Sequence, residues 1–209
     1  MTHMICILEC ESADSQLLKK ALGELGVTPT SVSHADGLLR ASKLFIPPIR
    51  SIPRATRSFR DGGLVTPLIR IMTAGTPVLA IDGGFHLLFD VCHDEGQHMG
   101  LGLISGAVTQ MEYGAHPAAK HFTLPHQGWN QVRWLSHCPI GTGLSDNDYF
   151  FFDHAAHAEP LDANVVVGQT NHGMDFNAVT WSGSLFGTQF QPERSKESGL
   201  RLLANFLAI

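Results

Sequence analysis

The sequence predicts an α/β fold: a central, mostly parallel sheet flanked by helices, with an antiparallel β section added to one side. Two patterns carry this expectation. In the first half, short apolar runs of strand length alternate with segments whose apolar residues recur every three to four positions. In the second half, β-like runs follow one another across Gly, Pro, Asp and Asn, and the chain closes on one amphipathic helix.

Taken in order, residues 5–8 (Ile-Cys-Ile-Leu) read as the first strand. Residues 15–25 read as a helix, with Leu17, Leu18, Ala21, Leu22 and Leu25 on one stripe and Gly26 as its stop. A second strand is placed at 30–33, a short helical turn at 36–42, and a third strand at 44–46, halted by Pro47-Pro48. Residues 50–60, with Arg50, Arg54, Arg57 and Arg60, read as a solvated basic loop. Residues 62–74 read as a helix with Pro67 near its first turn, and 78–81 as a strand buried on both faces. Further β runs are placed at 108–112, 131–135, 149–153, 165–169, 176–181 and 185–190, with the closing helix at 197–207. No linker, repeat or low-complexity stretch interrupts them, so residues 1–209 are expected to form a single domain.

Composition excludes several functions. The net charge is −5 and the pI near 6.1, without the basic footprint of a nucleic-acid binder. No apolar run approaches the ~20 residues a membrane helix requires. The first four residues lead directly into a strand rather than a basic, then apolar, signal segment, so a cytoplasmic protein is expected. Cys6, Cys10, Cys92 and Cys138 lack metal-ligand spacing and are expected to be reduced, structural thiols. Cys92 has no base in register and is not taken as a nucleophile. Nothing completes a zinc site around the close pairs His93/His98 and His154/His157, so neither metal nor cofactor is expected. His154 and His172 are read as solvated strand ends.

The stretch Pro77-Val-Leu-Ala-Ile-Asp82-Gly83-Gly84-Phe85-His86 organises the rest. A buried strand, a tight Asp-Gly-Gly turn and the start of a helical pattern make the geometry of a nucleophile elbow. Such an elbow presents one side chain at the carboxyl end of a parallel sheet, where ligands of these folds gather. Here that side chain is Asp82. It is read as a carboxylate favoured by the positive end of the following helix rather than as a nucleophile.

Together with the elbow, three segments carry a resemblance: Gly100-Leu-Gly-Leu-Ile104, Leu124-Pro-His-Gln-Gly-Trp-Asn-Gln-Val132 and Phe186-Gly-Thr-Gln-Phe-Gln-Pro-Glu-Arg-Ser195. They resemble the class I glutamine amidotransferases, and most of all the HisH-like glutaminase subunits of imidazole glycerol phosphate synthase, in histidine biosynthesis. The resemblance runs the length of the chain and implies the flavodoxin-like amidotransferase fold. It also implies glutamine hydrolysis by an elbow Cys, a His base and an orienting Glu, with ammonia passed to a barrel-shaped, HisF-like cyclase/synthase subunit. Laid onto this sequence, the Cys falls on Asp82, the His on Gln191 and the Glu on Glu193. The Gly-rich oxyanion loop falls on Pro47, Pro48, Ile49 and Arg50. Pro125, His126, Gly128, Trp129, Asn130 and Gln131 fall on the face towards the synthase subunit.

Each departure has a chemical consequence. A carboxylate attacks amides poorly, a carboxamide cannot act as a base near neutral pH, and Pro48 lacks an amide donor. Three separate parts of one mechanism are altered together. The resemblance therefore implies a pseudo-glutaminase that binds or regulates a barrel partner. Two alternatives stay open: a divergent but active glutaminase subunit, and a hydrolase repurposed around Asp82 and Glu193. Glu193 itself is read as a vestige paired with Arg194 or another base.

Overall fold

The computed structural model describes residues 4–94, 96–112 and 121–209; the chain start invoked above for localisation lies partly outside them. Strands β1 (Ile5–Leu8), β2 (Thr30–Val32), β3 (Lys43–Ile46) and β4 (Val78–Ile81) lie close to their expected places. Helices α1 (Gln16–Glu24) and α2 (Ala35–Leu38) do so as well. Hydrogen bonding orders them β2-β1-β3-β4, all parallel, and β14 (Leu185–Thr188) joins beside β4, also parallel. All four residues of β4 are buried, as its unbroken apolar run requires.

Beyond β14 the same sheet turns largely antiparallel. It runs through β13 (Asp175–Ser182), β11 (Ala156–Pro160), β7 (Ile104–Gln110), β5 (Phe89–Cys92) and β6 (His98–Met99). A branch of β12 (Val166–Asn171) and β9 (Arg133–Trp134) pairs with β13. Separate from it, β8 (His126–Gln131) and β10 (Tyr149–His154) form a two-stranded antiparallel ribbon.

The core divides between the two sheet faces, because successive strand residues point opposite ways. Leu8, Leu44, Phe59, Leu68, Phe85 and Phe89 share one side. Ile7, Phe45, Leu79, Phe186 and Phe206 share the other. The closing helix, α6 (Lys196–Ala208), buries Leu202, Leu203 and Phe206 there, and Phe206 meets Phe45 edge-on at 4.8 Å between ring centroids.

Several expectations are corrected. The basic loop at 50–60 is helix α3 (Ile52–Asp61): Pro53 fits its first turn, and Ile52, Ala55, Thr56 and Phe59 are buried in helical spacing. The arginines lie between those positions, so the charge-rich composition masked an amphipathic helix. Gly62 and Gly63 separate α3 from α4 (Val65–Thr73), with Gly63 at φ +62°. The elbow helix, α5 (Gly83–His86), lasts one turn; Phe89, expected to continue it, begins β5. Strand β11 was missed, since Ala-His-Ala-Glu-Pro lacks the β-branched residues of a typical strand. No helix among the described residues is long and apolar enough to cross a membrane.

Candidate active-site cleft

The carboxyl ends of β3, β4 and β14 open onto one cavity of about 490 Å3. Asp82 stands at its floor, just after β4, with φ 51° and ψ −121°. This is a region of backbone space that side chains rarely adopt, and it is the strained corner an elbow needs. Main-chain bonds hold the corner: Asp82 N–H donates to Thr188 O at 2.7 Å, and Phe85 and His86 donate to Asp82 O. Both turn glycines are obligatory. A Cβ on Gly83 would lie 1.9 Å from Ile49 O, and one on Gly84 would lie 2.4 Å from Pro47 O.

That approach packs residues 47–50 against the elbow. Pro48 O accepts from Asp14 N–H at 2.8 Å, and Arg50 N–H donates to Ser12 O at 3.1 Å. Pro47 and Pro48 carry no amide hydrogen. At most the Ile49 amide therefore remains for a substrate oxygen, where an oxyanion hole needs aimed donors. Arg50 is extended into an ion pair with Asp14 at the cavity rim.

Gln191, just past β14, reaches the elbow: its Nε2 donates to Asp82 Oδ2 at 2.7 Å. Arg194 Nη1 donates to Gln191 Oε1 at 3.3 Å and to Asp153 Oδ2 at 3.0 Å. The amide is thus fixed with its NH2 towards Asp82. Burial pushes the Asp82 carboxyl up to about 7; the Gln191 bond and the Gly83 amide oppose the rise, while the Asp153 charge adds to it. Asp82 is therefore not an anion settled by a helix terminus, because a one-turn helix cannot offset that desolvation.

Glu193 is likewise pushed up by burial, to about 8, with the Asp82 charge contributing. Its Oε2 is sealed from solvent without a hydrogen-bond partner, although the residue lines the cavity. Its expected pairing with Arg194 is corrected: Arg194 is engaged by Asp153 and lies 3.8 Å over the Phe151 ring. Asp153, which holds this arginine, was not singled out from sequence, since the contact spans 41 residues with no local motif.

His86, His126 and His154 are held neutral by burial. His154, expected to be solvated, is buried, and its ring lies between Ala156 O at 2.8 Å and His126 Nδ1 at 3.1 Å. His126 stacks on His172 at 3.9 Å between centroids and on Phe152 at 4.7 Å. Burial lowers His126 to about 3 and His86 to about 4. His86 meets Gln189 Oε1 at 2.8 Å behind the elbow. Cys92 is fully buried, and its thiol is pushed up to about 11, so it is no displaced nucleophile. No three His, Cys, Asp or Glu among the described residues could hold a metal ion.

The ribbon β8–β10 flanks the cleft. His126 is 3% exposed and cannot meet a partner directly, which corrects its interface assignment; it braces the ribbon from within. Asn130 Nδ2 is bound to Asn171 O at 2.8 Å. Trp129 is 43% exposed, opposite Phe151 across the ribbon, with the Lys196 ammonium 5.3 Å over its ring. Pro125 and Gln127 are exposed beside it, and Gly128 and Gln131 are half-buried.

Comparison with known proteins gives a consistent picture. No family model matches the chain. It is 30% identical over 203 residues to the imidazole glycerol phosphate synthase subunit HisH of Syntrophotalea carbinolica, covering 97% of this chain and 98% of that protein. It is 32% identical to the protein of the same name from Moorella thermoacetica, with 97% and 93% covered. Among solved structures, PurLQS from Thermotoga maritima superposes with a TM-score of 0.78 at 18% identity, covering 100% and 99% of the two chains. A glutamine amidotransferase does so at 0.74 and 16% identity, covering 98% and 97%. The fold is shared with both chains.

Proposed function

The chain belongs to the family of HisH subunits of imidazole glycerol phosphate synthase, and from that premise we propose that it is a pseudo-glutaminase. In this reading it keeps the amidotransferase fold as a single domain over 1–209 and docks on a barrel-shaped, HisF-like synthase subunit in the cytoplasm. It does not release ammonia from glutamine.

One observation carries the reading: Gln191 Nε2 donates to Asp82 Oδ2 at 2.7 Å. In an active site of this kind an imidazole takes the nucleophile's proton. Here a carboxamide, with no proton-accepting capacity, donates to a carboxyl that titrates at about 7. The pairing is chemically reversed. The state of residues 47–50 supports the same conclusion, because that loop has one amide at most free to meet a developing oxyanion. Glu193 keeps the place of the orienting carboxylate with no imidazole to orient.

Docking on the barrel subunit would use the ribbon, with Trp129 as the aromatic anchor and Pro125, Gly128 and Gln131 around it. The decisive measurement is ammonia release from glutamine by the purified chain, alone and with the barrel subunit. The expected rate is indistinguishable from that of buffer in both. Turnover stimulated by the barrel subunit would overturn the proposal.

A further inference from the structure

We propose that the cleft is a binding site for an aliphatic primary amine, taken up as its ammonium ion against the Asp82 and Glu193 carboxyls. The inference deepens the pseudo-glutaminase reading, and rests on it only in that no glutamine chemistry competes for the cleft.

Charge bookkeeping around the cavity points to a cation. Two arginines line it, and each is already neutralised: Arg50 by Asp14, Arg194 by Asp153. His86 and His154 are held neutral by burial. Asp82 and Glu193 are left without a cationic partner of their own, and Asp94 adds a further acid at the rim, near His98. Glu193 Oε2, buried without a hydrogen-bond partner, marks a carboxyl oxygen that no group of the protein satisfies.

The chemistry of the donor set selects among cations. No three-ligand cluster for a metal ion exists among the described residues. An ammonium group needs less: it brings three N–H donors and tolerates irregular carboxylate acceptors. Gln191 cannot fill that role, since it supplies one N–H to Asp82 and its oxygen is taken by Arg194. The lining also includes the apolar residues Ile49, Ile52 and Pro53, which suit a short alkyl chain. A volume of about 490 Å3 admits a ligand of that size with room for water.

Binding of a cation favours the ionised carboxyls, so it displaces protons and strengthens as pH rises. Displacing one proton from a group that titrates at about 7 gives roughly a tenfold gain between pH 6 and pH 8. The test is calorimetric titration of the whole chain with n-butylammonium chloride, in two non-amine buffers of different ionisation enthalpy, at pH 6 and pH 8. Uncharged butyramide is the neutral control of similar length.

The expected result is one site that releases protons, weakens about tenfold at pH 6, and ignores butyramide. Glu193→Gln should weaken it at least tenfold. Should that variant not fold, Asp82→Asn and the proton release of the unaltered chain still decide. Equal binding of butyramide, pH-independent affinity, or no binding by about 10 mM would each overturn the inference. Ammonia release from glutamine, measured on the same preparation, reports separately on the pseudo-glutaminase reading.

Discussion

Replacing Asp82 with Asn should stabilise the protein, and only above about pH 4. The carboxyl titrates at about 7 in the folded chain against 3.8 for an unperturbed aspartate. Its folded value is raised, so the folded state binds the extra proton. The associated stability is fully present below the unfolded value and is lost as pH climbs through about 7. The gap is about 3 pH units at roughly 1.4 kcal/mol each, or about 4 kcal/mol above pH 8. Asparagine offers Gln191 the same acceptor oxygen and never ionises, so the variant escapes the loss. The difference between the two proteins, from urea unfolding at half-unit steps between pH 4 and pH 9, should be near zero at pH 4 and should level off above pH 7.5. In melting temperature the plateau corresponds to roughly 10 °C for a chain of this length. Because Asp82 also raises Glu193, the variant should ease that group as well and widen the difference slightly at its upper end. A difference that is flat with pH, or that runs the other way, would refute the claim that Asp82 is held protonated by burial.

Three further outcomes follow from the same geometry. The double variant Asp82→Cys, Gln191→His should leave ammonia release from glutamine at background, because Pro47, Pro48 and the engaged Arg50 amide leave the loop only the Ile49 amide to offer an oxyanion; robust turnover would show that loop to be adequate. Gly83→Ala places a Cβ 1.9 Å from the main-chain Ile49 O and should cost more than about 3 kcal/mol in chemical denaturation, with loss of soluble protein as the extreme. Trp129→Ala should weaken binding to a barrel-shaped synthase subunit at least about tenfold by titration while shifting the melting temperature little, as expected of a half-exposed anchor; an unchanged affinity would remove the ribbon from the docking face.

Much of the parallel half was legible because its signals are local. Val78–Ile81 is apolar throughout and must be buried on both faces, and Gly83-Gly84 admits the close approach of residues 47–50. The elbow followed from that stretch alone, down to the residue at its corner. Helix α3 was hidden because its arginines dominate composition while only Ile52, Ala55, Thr56 and Phe59 report its buried face. The site was half legible. Positions 82, 191 and 193 do converge on one cleft, but their protonation states depend on burial, which no spacing reveals. The grip of Arg194 on Gln191 depends on Asp153, brought close by the β8–β10 ribbon. His126 misled because its sequence neighbours are exposed; a strand alternates, and its own side chain falls on the inner face.

The corner at Asp82 separates two properties that a nucleophile elbow usually joins. Its φ of 51° and ψ of −121° are costly for any residue with a side chain, by about 1–3 kcal/mol. In the pseudo-glutaminase reading, catalysis does not account for that strain. The packing accounts for it instead. Asp82 N–H is bound to Thr188 O, Gly83 lies against Ile49 O, and Gly187 of β14 lies so close to Phe85 that a Cβ there would meet its ring at 2.2 Å. Relaxing the corner would pull apart the ends of β3, β4 and β14 together. The backbone posture at position 82 is thus a joint of the architecture, and it persists whichever side chain stands on it. A preserved elbow is therefore no evidence of a working one. The evidence lies in the atoms set around it, and here these are an amide that donates where a base must accept and a loop with almost no amides to lend.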